Sequence, residues 1–299
     1  VTSAASTELE ALALARLGKG DIPGAVNAYK RLTRVKPENP CAWYQLGKLQ
    51  VEIGLVEQGL DSICQSLKLD DQCPAVWFSR ATMEQALGKS KSAIRSGLKV
   101  LAIEPDTVEA WMLLGALAEQ LKHYEEQENC SWHALRLEPD NQEALVSYAH
   151  ALYQQGRLAE AEDACREAID GQASNASALA CMAMTLIARS RVDDANEYLD
   201  LLLRKYPGYA QHLNAMGQEC LSKNDAHAAI GLFASLIKLN EQIEWAYTGL
   251  SQAYLMAGRK IDAEENLERA LQLFPDLPGA KSLMQKIKLA LNFKLTIQS

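Results

Sequence analysis

Residues Val108–Asn141 read VEAWMLLGALAEQLKHYEEQENCSWHALRLEPDN. The first half spaces Trp111, Leu114, Gly115 and Ala118 as one packed face of a helix. A turn and a second helix-like run follow, and Pro139, which lacks an amide donor, closes the stretch. Laid along the chain in both directions, this 34-residue ruler fits without a gap. Its starts fall at Ser6, Pro40, Pro74, Val108, Gln142, Ala176, Ala210 and Glu244, and the last repeat ends at Leu277.

Aligned this way, the repeats share a physical plan. The fourth residue is large and apolar throughout: Leu9, Trp43, Trp77, Trp111, Leu145, Leu179, Leu213 and Tyr247. The eighth is tiny (Ala13, Gly47, Ala81, Gly115, Ala149, Ala183, Gly217, Ser251), which lets a second helix approach closely. The fifteenth is Gly20, Gly54, Gly88, Lys122, Gly156, Ser190, Asn224 or Gly258, mostly residues that tolerate the left-handed conformation ending a helix. The twentieth is small in seven repeats and Gln127 in the fourth, and the thirty-second is most often proline. Each repeat is therefore two antiparallel helices joined by short turns. Abundant Ala and Leu and scarce β-branched runs agree with helix throughout.

Composition narrows the function. Apolar residues make up 48% of 299, enough for a continuous core, and no apolar run approaches a membrane span. The net charge of −8 and the lack of a basic stripe speak against binding nucleic acid. Seven cysteines (41, 64, 73, 130, 165, 181, 220) form no C-x-x-C pair, and their odd number suits core-filling thiols in a reducing, cytoplasmic compartment.

The W…LG…Y…A…F…A…P pattern, matched best by repeats two, three, four and eight, resembles that of the tetratricopeptide repeat (TPR) family. The resemblance covers Ser6 to Leu277. It implies an all-α fold, a right-handed α-solenoid superhelix of eight helix-turn-helix units whose first helices line a concave groove. It supplies no catalytic residues. Residues 1–5 read as a disordered tail, 278–292 as a capping helix with Leu283, Met284, Ile287 and Leu291 on its apolar face, and 293–299 as a tail or the start of a further domain.

Motifs for chemistry are weak. The tryptophans at 43, 77 and 111 sit at the repeat's own packing position, which outweighs a base-stacking reading. Cys130 and His133 share a helix face but lack further ligands, so no metal or other cofactor is expected. NCS at Asn129 and NAS at Asn175 read as chance matches to glycosylation acceptors.

What remains is the groove. Repeat positions 2, 5, 6, 9, 12 and 13 lie off the packed face. In the first five repeats they include Tyr44, Gln45, Lys48, Phe78, Glu109, Met112, Glu143, His150 and Tyr153, with Glu10, Glu52 and Glu119. Five of these are acidic and one is basic, so anionic ligands should be repelled. Further on, Gln211, Asn214, Gln218, Trp245 and Gln252 carry no charge and offer amides to the backbone of an extended peptide. The expected function is a non-enzymatic scaffold binding a partner peptide or protein. The rival reading is a substrate-recruiting arm of a larger enzyme, such as a sulfotransferase, glycosyltransferase or oxygenase, continuing beyond Ser299. Self-association is a third. Two known groove chemistries are absent. No three consecutive repeats carry the Lys and Asn clamp that holds acidic chaperone C-termini, so such a peptide is not an expected partner. Nor does position 6 repeat the asparagine ladder of the O-GlcNAc transferase superhelix.

Within the opening stretch itself, Gln127, Ser131 and Lys122 break the pattern. An amide at a tight helix crossing needs partners. Two outcomes are open there: a looser, flexing junction after the fourth repeat, or a simple rotation or register shift of the helix.

Overall fold

The computed structural model describes residues 2–171 and 175–295. Among them are seventeen α-helices and one short 3-10 turn, Pro207–Tyr209, and no strand. The fold is an all-α solenoid of helical repeats. The first helices are α1 (Thr2–Leu17), α3 (Pro40–Glu52), α5 (Pro74–Ala86), α7 (Val108–Gln120), α9 (Gln142–Gln154), α11 (Ala176–Ala188), α13 (Ala210–Ser222) and α15 (Glu244–Met256). The second helices are α2 (Ile22–Val35), α4 (Val56–Leu69), α6 (Ser90–Ile103), α8 (Tyr124–Leu137), α10 (Leu158–Gly171), α12 (Val192–Lys205), α14 (Ala226–Leu239) and α16 (Lys260–Leu273). A last helix, α17 (Ala280–Leu295), packs on α16 through Leu283 and Ile287, both buried. Residues 2–5, read from sequence as a disordered tail, belong to α1, and Phe293–Leu295 end α17; residues 1 and 296–299 lie outside the described residues.

Local chemistry accounts for the helix boundaries. Asn39 and Asp225 cap α3 and α14 by accepting from the backbone N–H of Ala42 (3.2 Å) and Ala228 (3.0 Å). Pro40 and Pro74 open α3 and α5, where a missing N–H costs nothing. All eight residues at repeat position 15 have φ between +59° and +83°, including Lys122, Ser190 and Asn224. The left-handed turn is thus a property of the fold, and these three repeats accept its steric cost. Each of three position-4 tryptophans donates its indole N–H to a carbonyl six residues back: Trp43 to Pro37 (2.8 Å), Trp77 to Asp71 (2.8 Å) and Trp111 to Pro105 (2.9 Å). The ladder is a set of tethers between repeats, with the rings spent on packing.

The chain divides into two compact bodies, Val1–Ser147 and Tyr148–Ser299. In the N-terminal body, small separate apolar clusters form between neighbouring helices, as stacking of nearest neighbours requires. Gln127 is fully buried there. Its Nε2 donates to the Ser147 carbonyl and hydroxyl, each at 3.2 Å, and the Ser131 hydroxyl bonds the Gln127 carbonyl and Ser147 Oγ, both at 2.9 Å. The amide nitrogen and the Ser131 hydroxyl thus form a close polar contact with Ser147 at this crossing.

The C-terminal body is built differently. One continuous cluster runs from Ala149 to Ile287. At its centre α11 is buried over ten successive residues, Ala178 to Ile187. Elsewhere a second helix packs on the next first helix, as α10 does on α11 and α14 on α15. Here α14 also reaches back past α13 to pack on α11 and α12. Gly231 permits this, because a Cβ there would lie 2.4 Å from Cγ2 of Ile187. Glu162, 6% exposed, is clasped by Arg166 (3.0 Å), Arg191 (2.9 Å) and Arg189, tying α10 to the α11–α12 turn.

Candidate functional site

Successive first helices α3, α5 and α7 pack side by side in the N-terminal body, so equal repeat positions form rows across them. Position 5 gives the row Tyr44, Phe78, Met112 and, on α9, Val146, each half-buried. A packed core would hide such side chains and a solvated face would not use them. Tyr44 is fixed from two directions. Ser79 on the next first helix donates to its hydroxyl at 3.4 Å, and the Lys48 ammonium lies 5.0 Å from its ring centroid. Half-buried Gln45 and exposed Lys48, Glu109 and Glu143 flank the row.

The corresponding face of the C-terminal body is largely covered by the protein itself. On α11 four of the six positions that would face a groove, Ala180, Cys181, Met184 and Ile187, are buried, with Ser177 exposed and Ala188 half-buried. Side chains of α9 and α13 meet nearby: His150 bonds Gln154 at 2.9 Å, Gln154 accepts from Lys223 Nζ, and Lys223 pairs with Glu219 at 2.9 Å. Burial drives the Tyr153 phenol far above its usual range, with the neighbouring Cys220 and Asp225 adding to the effect. Burial likewise pushes the Cys220 thiol up to about 11, again with Asp225 and Glu219 adding. Of the sequence-derived positions here, Gln211, Gln218 and Gln252 are exposed, Asn214 is half-buried, and Trp245 turns its ring edge-on to Phe233 at 6.3 Å. A repeat template alone misses this covering. The available signal is the α11 sequence, ASALACMAMTLIA, which holds no charge.

Candidate chemistry elsewhere resolves into packing. His133 stacks on Trp111 with centroids 4.2 Å apart and planes 8° from parallel. The adjacent Cys130 thiol is pushed up to about 11 by burial, and Glu126 adds to the effect. Among the described residues no three side chains are grouped to hold a metal ion, and no helix is long and apolar enough to cross a membrane. Asn175 caps α11, accepting from the N–H of Ser177 (3.0 Å) and Ala178 (3.1 Å).

Residues 79–213 match the TPR domain of cytochrome c-type biogenesis protein H, and residues 13–54 match a TPR repeat. The chain is a tetratricopeptide repeat protein. Comparison with curated proteins returned no match. Several solved structures share the fold. A TPR protein from Parabacteroides merdae is 17% identical, with 95% of this chain and 99% of that one covered and a TM-score of 0.58. Pseudomonas aeruginosa pilF is 18% identical over 72% of this chain and 99% of its own, with a TM-score of 0.58. YrrB, described as a TPR protein with an unusual peptide-binding site, is 18% identical over 64% of this chain and 99% of its own, with a TM-score of 0.56. At these identities the likeness is one of fold.

Proposed function

We propose that this TPR protein is a non-enzymatic scaffold that holds an extended peptide, or an extended segment of a partner protein, across α3, α5 and α7. The row of half-buried Tyr44, Phe78, Met112 and Val146 carries the reading. Neighbouring helices lie about 8–10 Å apart. A polyproline II segment repeats a side-chain direction every third residue, about 9 Å along its axis. One apolar side chain at every third position would therefore meet each member of the row. Gln45 offers donors and acceptors to the ligand backbone, and Glu109 and Glu143 favour neutral or basic sequences. The acidic C-terminus of heat-shock chaperones is not a ligand of this face, for want of the Lys and Asn clamp. In the C-terminal body, exposed Gln211, Gln218 and Gln252, beside Asn214, Trp245 and His150, are proposed as a separate polar contact surface of that body. A peptide-binding site in YrrB gives the reading a precedent on the same fold.

Panning a displayed peptide library on the protein tests this. Selected peptides are expected to carry an apolar residue at every third position and to bind with about micromolar affinity. The pair Tyr44→Ala and Met112→Ala, checked for unchanged circular dichroism, should lose at least about tenfold. Selected peptides that bind this variant equally well would place the site elsewhere.

A further inference from the structure

Away from the Tyr44–Val146 row, α5 and α6 enclose a pocket of about 470 Å³ that shares no residue with it. The size lies within the range of ligand pockets, roughly 300–1,000 Å³. Trp77, Leu98 and Ala102 give it an apolar lining, and Leu98 is 53% exposed in the free protein. Three cations surround this lining: Arg80, Arg95 and Lys99.

The charges are not a by-product of folding. One carboxylate, Glu84, stands near them, 2% exposed, and its acceptors are taken. It receives the Ser92 hydroxyl (2.7 Å), the Ser96 hydroxyl (2.7 Å) and Arg80 Nε (2.9 Å). Arg80 is fixed by this pair and by lying 5.3 Å over the Trp77 ring, while its terminal nitrogens make no hydrogen bond among the described residues. Arg95 and Lys99 have no carboxylate partner among the described residues, and α6 contains no Asp or Glu. At the repeat position that Arg95 occupies, four sibling repeats place Asp61, Asp163, Glu197 and Glu265. The third repeat alone reverses that sign, in a chain of net charge −8.

We propose that this pocket anchors a second partner: an acidic segment of another protein with one large apolar side chain between its carboxylates. The apolar side chain fills the space over Leu98 and Ala102. Flanking carboxylates meet Arg95, Lys99 and the terminal nitrogens of Arg80, whose planar fork suits a carboxylate. A nucleic acid fits less well. Its bases would need the Trp77 face that Arg80 covers. The determinant also differs from a chaperone clamp, being a single apolar-floored pocket off the first-helix row. Two partners held at separate places would make the chain an adaptor.

The test uses the full chain and three fluorescein-labelled hexapeptides in anisotropy titrations. The first has a Ser-Phe pair flanked on each side by two glutamates. The second replaces the pair with two serines, and the third replaces the glutamates with lysines. The first is expected to bind and the others to bind at least about tenfold more weakly. The double reversal Arg95→Glu with Lys99→Glu, both exposed and so tolerated by the fold, should reduce binding of the first by about tenfold or more. Added salt should weaken it in wild type. Tyr44→Ala with Met112→Ala should leave it unchanged, which separates this site from the first-helix row. The proposal is overturned by no binding of the first peptide up to about 1 mM, by equal binding of the serine peptide, or by indifference to the reversal. Sedimentation decides one further case. Trp132 on acidic α8 is 45% exposed. If the wild type self-associates, excludes the peptide and becomes monomeric on reversal, the occupant is a second copy and the partner claim fails.

Discussion

Phe233 gives the sharpest test of the packing. Its ring is fully buried between two helical glycines on different helices. A Cβ at Gly217 would stand 2.3 Å from Cζ, and one at Gly249 would stand 2.5 Å from the same atom. The ring cannot retreat from one methyl without approaching the other backbone. In an exposed helix Gly→Ala stabilises by about 1 kcal/mol. Overpacking a core costs roughly 1–3 kcal/mol, and a contact this short belongs at the upper end. Gly217→Ala is therefore expected to destabilise the protein by about 2 kcal/mol net. Phe233→Leu alone should cost roughly 1–2 kcal/mol through lost burial and a small void. The double variant removes the atom that clashes, so its loss should fall short of the sum by about 1–2 kcal/mol. Urea titrations followed by circular dichroism, with slopes compared among the four proteins, measure the cycle. Strict additivity, or a stabilising Gly217→Ala, would refute the reasoning.

Three other perturbations follow. Lys122→Gly and Ser190→Gly relieve φ values of 59° and 62° and should each stabilise by about 0.5–1 kcal/mol, whereas Lys122→Ala should gain nothing; thermal melts distinguish them. Burial alone would raise the Glu84 carboxyl, but hydrogen bonds from Ser92, Ser96 and Arg80 together hold it below the usual range. Its contribution is therefore fully present above the ordinary glutamate range and lost as pH falls through the depressed value, so urea midpoints from about pH 6 to pH 3 should fall more steeply in wild type than in Glu84→Gln. Native labelling with iodoacetamide near pH 8 should modify exposed Cys41 well before half-buried Cys130 and buried Cys220, whose thiols burial holds at about 11; mass spectrometry showing early labelling of the latter two would contradict that order.

Much of this architecture is legible in the sequence because it is local. A large residue at position 4, a tiny one at 8 and a left-handed turn at 15 are requirements within one helical hairpin, and each repeat states them separately. Gln127 reads as a fault for the opposite reason. Its partners Ser131 and Ser147 are 4 and 20 residues away, and a template that scores positions singly cannot see three polar groups compensating one another. The candidate groove was legible only where the repeats stay regular. Tyr44, Phe78 and Met112 form a row in the structure, while His150 and Trp245 are drawn into contacts of their own. The pocket between α5 and α6 needs a comparison of charge among repeats at positions the fold leaves free, where Arg95 and Lys99 stand out. The covering of α11 depends on α14 passing a neighbour, which the 34-residue period does not encode.

The burial of α11 has a consequence for how the chain forms as it leaves the ribosome. In the N-terminal body each hairpin meets its neighbour soon after synthesis and can settle in order. Helix α11 cannot. Gly231, which packs against Ile187, belongs to α14, which is complete only about fifty residues later. Until then Ile187 lacks its contact with Gly231, and this segment is where a translational pause or a holding chaperone would matter most. The same dependence forbids trimming: a chain ended after α12 would lack the cover that α11 requires, so the C-terminal body stands or falls as one piece.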